Sequence, residues 1–212
     1  MISKVDSTIY PGGKGATISR GNKKMKRIVV YYFRKGSNRY LARKIAEHLS
    51  CDIAELKPRL NVFPLFLLNI HMGNRALSVD LSEYDQVILC GPIWIGRLIP
   101  PLRSFLTSHK DRIKKLIFVT CCGSTDAGQN DKFGYATVFG KVRNLMADKC
   151  QYCRAFPIGM VLPEERREDP EAFMNTHLND QNFQGIIRER FDQFILEISQ
   201  GDSSPSPGKS AV

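Results

Sequence analysis

Short apolar runs alternate along this chain with stretches in which apolar residues recur at helical spacing. The run Arg27–Phe33 holds Ile28, Val29, Val30, Tyr31 and Tyr32, and this β-branched and aromatic enrichment predicts a strand. Residues 51–56 alternate well enough for a second, shorter strand. Gln86–Gly91 carries Val87, Ile88, Leu89 and Cys90 without a polar break, the pattern of a strand buried on both faces. Lys115–Thr120, with Leu116, Ile117, Phe118 and Val119, repeats that pattern, and Cys153–Met160, interrupted by Pro157, predicts a fifth strand. Between these runs, Leu41, Ile45 and Leu49 stand four apart and predict a helix over Asn38–Leu49. Pro100-Pro101 opens a helical pattern to His109, as proline does in a first turn. Further helices are predicted over Ala136–Asp148 and over Asn182–Ser199, the latter from Phe183, Ile186, Ile187, Phe191, Phe194, Ile195 and Ile198. Residues 60–77 read as helical from about Phe63 and polar after Ile70, and 164–169 as a charged connection. There is no internal repeat.

Strands alternating with helices imply right-handed crossovers and a doubly wound parallel sheet of class α/β. The pattern alone leaves the strand order open. In such sheets ligands bind at the carboxyl ends of the strands, which singles out three loops. The first holds Arg34, Lys35, Gly36, Ser37 and Asn38 at a helix start, where unpaired N–H groups and the helix dipole hold phosphate. Arg39, Arg43 and Lys44 follow in the first turns, where the dipole disfavours each cation by about 0.3–1 kcal/mol. Either an anion sits nearby or these long side chains simply reach into water, and charge alone does not separate the two. The second loop is Pro92, Ile93, Trp94, Ile95 and Gly96 and contains the single tryptophan. A flat aromatic just past a buried strand suits a flat ligand, although a lone tryptophan also serves as a packing residue. The third loop, Thr120, Cys121, Cys122 and Gly123 continuing to Gly128, offers small residues and backbone N–H groups.

Composition narrows the classes. At 212 residues, 42% hydrophobic and 25% charged, the chain suits one globular α/β domain. The most apolar stretch, Leu60–Ile70, is broken by Asn61, Pro64 and Asn69 and is too short for a membrane helix. Met1–Lys26 lacks the apolar segment of a signal peptide, so a cytoplasmic location is expected. The net charge of +10 invites a nucleic-acid reading. Residues 1–26, however, hold six Lys and Arg against Asp6 alone, so half of the excess lies in a glycine-rich tail that cannot build a core. No helix-turn-helix, zinc-finger or aromatic-studded basic strand supports nucleic-acid binding. We expect a basic tail at 1–25, a domain at 26–200 and a Ser/Pro-rich tail at 201–212. The six cysteines include Cys150 and Cys153 in a C-x-x-C spacing. The histidines supply no matching zinc ligands, so reduced packing thiols are expected.

Three blocks together carry a resemblance: Ile28–Tyr32 leading into residues 33–38, Tyr84-Asp85 before the third strand, and Gly91–Gly96 with Pro100-Pro101 and Phe105. On these, residues 26–200 resemble flavodoxin-like proteins of the FMN-binding kind. The resemblance implies a three-layer fold with a five-stranded sheet in the order 2-1-3-4-5. It implies FMN with its phosphate on Arg34, Lys35, Gly36, Ser37 and Asn38, and its ring between residues 92–96 and the segment Thr120–Gly123. It implies a redox role, either electron transfer with a partner protein or NAD(P)H-dependent reduction of a quinone-like acceptor, with no side chain nominated as catalytic. The basic charge favours the reductase role or an acidic partner. Family members show a hydroxyl-rich phosphate loop resembling Ser-x-Thr-Gly-Asn-Thr, whereas this chain has Phe33, Lys35 and Asn38 at the three hydroxyl positions. That departure keeps open a cofactor-free binding or scaffold protein on the same fold.

Overall fold

The computed structural model describes residues 25–33, 36–68, 73–167 and 169–200. Both expected tails up to residue 24 and from 201, and the site candidates Arg34 and Lys35, lie outside the described residues. In chain order the elements are β1 (Arg27–Tyr31), α1 (Ser37–Leu49), β2 (Asp52–Glu55), α2 (Val62–Leu67), β3 (Gln86–Cys90), β4 (Ile93–Trp94) and β5 (Arg97–Leu98). There follow α3 (Pro100–His109), β6 (Leu116–Cys122), α4 (Tyr135–Met146), β7 (Cys150–Pro157), α5 (Pro170–Asn175) and α6 (Ile186–Gln200).

Five strands pair in the order β2-β1-β3-β6-β7, all parallel, which is 2-1-3-4-5 counted within the sheet. Every residue of β1, β3 and β6 is buried. Their apolar runs do not alternate because helices cover both faces. Ile28, Val30, Val87, Leu89 and Phe118 pack toward Leu102 and Phe105 of α3 and Val138 and Val142 of α4. The intervening Val29, Ile88, Ile117 and Val119 pack toward Leu41 and Ile45 of α1 and Phe191 and Phe194 of α6. Each such side chain contributes about 1.5–3 kcal/mol by burial. The chain leaves β1 for β2 on one side and returns to β3 on the other. The loops that follow β1 and β3 therefore diverge and open a crevice at the carboxyl edge of the sheet. Among the described residues no helix is long and apolar enough to cross a membrane.

Several boundaries differ from the pattern, each for a local reason. The fifth strand starts at Cys150 rather than Cys153, because Leu116 pairs with Cys150 and Ile117 with Tyr152. Gln151 is an extra residue, a β-bulge that interrupts the apolar alternation. The connection after residue 163 contains α5, which is too short to show helical periodicity. It is started by Asp169, whose carboxylate accepts from the N–H groups of Glu171 and Ala172. The last helix begins at Ile186 rather than Asn182. Asn179 and Asn182 each bond the other's backbone N–H, holding the chain in a turn until Gly185 reverses it at φ 59°.

Candidate functional site

α1 starts at the carboxyl edge, and its second residue fixes where that start sits. Asn38 is 4% exposed. Its Nδ2 donates to the Cys121 carbonyl at 3.1 Å, and its Oδ1 accepts the Cys121 N–H at 2.9 Å. β3 ends its pairing with β6 at the Gly91 N–H to Val119 carbonyl bond, so the next outward-facing peptide groups on β6, those of Cys121, have lost their strand partner. The Asn38 amide takes that place. The Cys90 thiol in turn donates to the Asn38 carbonyl at 3.3 Å. Ser37 accepts the Leu178 N–H on its Oγ at 3.1 Å, which ties the segment after α5 to the same helix start.

These contacts give two residues of the sequence reading a structural role. The side chains of Ser37 and Asn38, expected to bind phosphate, are engaged by the protein itself. Ser37 and Asn38 line the crevice, in a first turn that holds no acidic residue and has Gly36 as an N-cap that makes no side-chain bond. The cations of the first turns also have partners. Arg39 lies over the Phe33 ring at 4.4 Å, and Lys44 pairs with Asp180 at 3.0 Å. For these two the reading that needs no anion suffices.

The segment 92–96, expected as a loop, contains a tight hairpin in which Ile93 pairs with Leu98 and Trp94 with Arg97. Ile95 and Gly96 form its turn at φ 47° and 61°, the left-handed pair that two-residue hairpins require. A Cβ on Gly96 would stand 2.5 Å from the Lys132 carbonyl oxygen, so this position admits glycine alone. Lys141 Nζ donates to the Gly96 carbonyl at 2.9 Å and holds the turn against α4. Ile95 is the strained member. A β-branched residue in this region costs about 1–2 kcal/mol, and Ile95 is 62% exposed, so no burial offsets the cost.

Trp94 meets Phe66 of α2 edge to face, with centroids 5.2 Å apart at 77°. α2 is begun by Asn61, whose Oδ1 accepts the Phe63 N–H, and it leaves Phe63 and Leu67 largely exposed. On the far side of the crevice the chain after β7 and α5 contributes Ile158, Phe173, Met174, Thr176 and His177. The loop after β6 is anchored by Asp126. Arg190 donates to both of its carboxylate oxygens, at 2.6 and 3.2 Å, and Tyr135 donates at 2.6 Å. Burial opposes the Asp126 charge, but the Arg190 and Tyr135 bonds hold its carboxyl below the usual range. The anchor is therefore ionised at neutral pH.

Together these walls enclose a cleft of about 700 Å³, within the range of small-molecule sites. Ser37, Asn38, Pro92, Ile93, Trp94 and Ile95 line it, and Cys121, Cys122 and Gly123 form its floor. Burial pushes the Cys122 thiol up to about 12 and Cys121 well above the usual thiol range, so the floor is neutral. Thr120 does not line the cleft. β6 runs on to Cys122, which leaves Thr120 fully buried in the sheet, its hydroxyl without a hydrogen-bond partner among the described residues. Gly36 and Gly96 shape the turns behind the lining instead. The sequence reading missed Phe63, Phe66, Leu67 and the wall from Ile158 to His177. Phe63 and Leu67, four apart on a short helix with Leu65 taking the buried face, were its one visible signal.

No protein-family model and no curated protein matches the sequence. Among solved structures, the chain is similar to a flavoprotein in complex with FMN from Lactobacillus acidophilus NCFM, with a TM-score of 0.51 and 15% identity over 62% of this chain and 93% of that one. It is similar to a provisionally assigned flavoprotein from Bacteroides eggerthii DSM 20697, with a TM-score of 0.50 and 17% identity over 62% and 87% of the two chains. A Fusobacterium nucleatum flavodoxin bound to flavin mononucleotide aligns over 84% of this chain and 99% of its own, at 12% identity and a TM-score of 0.43. At such identities the likeness speaks to the fold, which is flavodoxin-like.

Two substitutions test this construction. Asn38→Ala leaves two buried peptide groups of Cys121 unpaired and is expected to lower stability by about 2–4 kcal/mol, read as a lower urea midpoint. Asn38→Asp is expected to fall with it, since a carboxylate cannot donate to the Cys121 carbonyl. Ile95→Asn relieves the left-handed strain and is expected to raise stability by about 1 kcal/mol. A thermal midpoint unchanged or lowered by Ile95→Asn would contradict the assigned strain.

Proposed function

We propose that the protein is an FMN-binding redox protein whose cofactor occupies the cleft between the start of α1 and the Trp94 hairpin. One observation carries the reading. An aromatic, apolar slot and an acid-free, side-chain-uncapped helix start share one crevice at the point where the strand order reverses.

The residues present fit a phosphorylated flat ring. The peptide N–H groups at the start of α1 would hold the phosphate, with the helix dipole favouring its charge. Trp94, backed edge-on by Phe66, would cover one ring face, with Ile93 and Ile95 beside it. Cys121, Cys122 and Gly123 would border the ring edge, where small side chains and a neutral floor allow close approach. Met174 and Phe173 would shield the other side from water. Bound FMN supplies hydride acceptance and single-electron transfer, while the protein supplies position and electrostatics. The electron donor and acceptor follow as further parts of the proposal: NAD(P)H with a quinone-like acceptor, or an acidic protein partner attracted by the net charge of +10.

A second reading, a cofactor-free binding or scaffold protein, is favoured by one specific feature. Ser37 and Asn38 direct their polar atoms at Leu178 and Cys121, and in the sequence Phe33 and Lys35 take two of the positions at which the family resemblance implies hydroxyls.

Titrating purified protein with FMN, followed by quenching of flavin fluorescence, separates the two. FMN is expected to bind, riboflavin without the phosphate more weakly, and Trp94→Ala to weaken FMN about tenfold, the equivalent of ~1.4 kcal/mol of lost stacking. Absence of quenching by FMN would remove the redox reading and leave the scaffold. With FMN bound, steady-state oxidation of NADPH in the presence of a quinone marks a reductase, and its absence a carrier.

A further inference from the structure

Cys150 and Cys153 stand apart from the cleft and from its buried thiols. Residues three apart in a regular strand point to opposite faces of the sheet. The bulge at Gln151 cancels that alternation. Cys150 and Cys153 both pack on the α3/α4 side, while Tyr152 between them packs on the α1/α6 side. The two sulfurs are 3.6 Å apart in hydrogen-bond contact, and both residues are half-buried, unlike the sealed Cys90, Cys121 and Cys122. Among the described residues, no cluster of three or more His, Cys, Asp or Glu is placed to hold a metal ion.

We propose that Cys150 and Cys153 form a redox-active dithiol, brought onto one face by the bulge, that closes to a disulfide by reducing a low-molecular-weight disulfide. The sulfurs need about 2.05 Å for the bond, so the gap to close is about 1.5 Å. β7 is an edge strand and the bulge leaves Gln151 outside the ladder, so the backbone there is held on one side only.

The two thiols take different roles. Either sulfur can donate to the other; with Cys153 as the donor, its S–H lowers the Cys150 thiol below its ordinary value, and the Arg143 guanidinium adds to the effect against burial. Cys153, as the donor and partly desolvated, is raised. In that arrangement Cys150 is the attacking sulfur of the proposed step. Its thiolate attacks one sulfur of the small disulfide, forming a mixed disulfide and releasing one thiolate. Cys153 then gives its proton to solvent and attacks the Cys150 sulfur, closing the ring and releasing the second thiolate. Two protein thiols are oxidised and one disulfide is reduced to two thiols.

The pair lies at the start of β7, whereas the strand's far end leads into Ile158 in the cleft. Cys153 is about 16 Å from Ile158 at an ordinary strand rise. The proposal therefore rests on no part of the flavin reading.

The test is incubation of the full chain with glutathione disulfide and glutathione at varied ratios, followed by alkylation and tryptic mapping. Cleavage after Lys149 and Arg154 releases both cysteines in one peptide, Cys150–Arg154. In the oxidising mixtures this peptide is expected to lose both alkylation sites together and become two hydrogens lighter, while Cys51, Cys90, Cys121 and Cys122 stay free. Dithiothreitol is expected to restore both sites. Cys153→Ser should trap one glutathione on Cys150, and Cys150→Ser should leave Cys153 unmodified. Survival of both alkylation sites in the unsubstituted chain under oxidising mixtures overturns the proposal, as does a disulfide mapped to any other pair.

Discussion

The cleft exists because one side-chain amide stands in for a strand that has ended. β3 ends its pairing with β6 at Val119, whereas β6 stays paired with β7 as far as Cys122, and Asn38 supplies the donor and acceptor that Cys121 would otherwise lack. Buried peptide groups are costly to leave unpaired, about 1–3 kcal/mol each. The substitution therefore locks the first turn of α1 to the carboxyl end of the sheet. Everything nearer the solvent inherits that position. Ser37 carries it onward to Leu178, and through Leu178 to His177 and the far wall of the crevice. Asn38 is thus a structural strut.

Around this fixed floor, the walls are held less economically. The Trp94 hairpin is only two residues a side and depends on a glycine that tolerates no Cβ, on Lys141, and on an isoleucine in a conformation isoleucine disfavours. Of the ten large apolar side chains exposed among the described residues, four stand at this rim, Phe63, Leu67, Met174 and the strained Ile95. A core would not keep such features, because burial would select against them. The opposite loop is held by charge instead, with Asp126 clamped by Arg190 and Tyr135.

The cysteines show how little residue type says without its surroundings. Cys90 is sealed in the core and Cys121 lies in the floor of the crevice, and burial keeps both protonated. Cys150 and Cys153, in the most recognisable spacing, would have faced apart on an unbroken strand. A single inserted residue makes them neighbours.

What was legible in the sequence was whatever depends on local periodicity. Unbroken apolar runs at 28–32, 87–90 and 116–119 state burial on both faces, and with helices between them little but a doubly wound parallel sheet remains. The Pro100-Pro101 helix start and the place of Trp94 beyond a buried strand belong to the same class of information. Tertiary structure alone decided the rest. Asn38 reads as a ligand contact until the end of β3 leaves Cys121 unpaired 83 residues away. Thr120 reads as a loop residue until β6 is seen to run on to Cys122. Phe63, Phe173 and His177 come from segments too short or too irregular to show a period, yet they line one cleft. Periodicity reports which side of an element is buried. It is silent on which distant polar group must be satisfied, and that requirement placed the site.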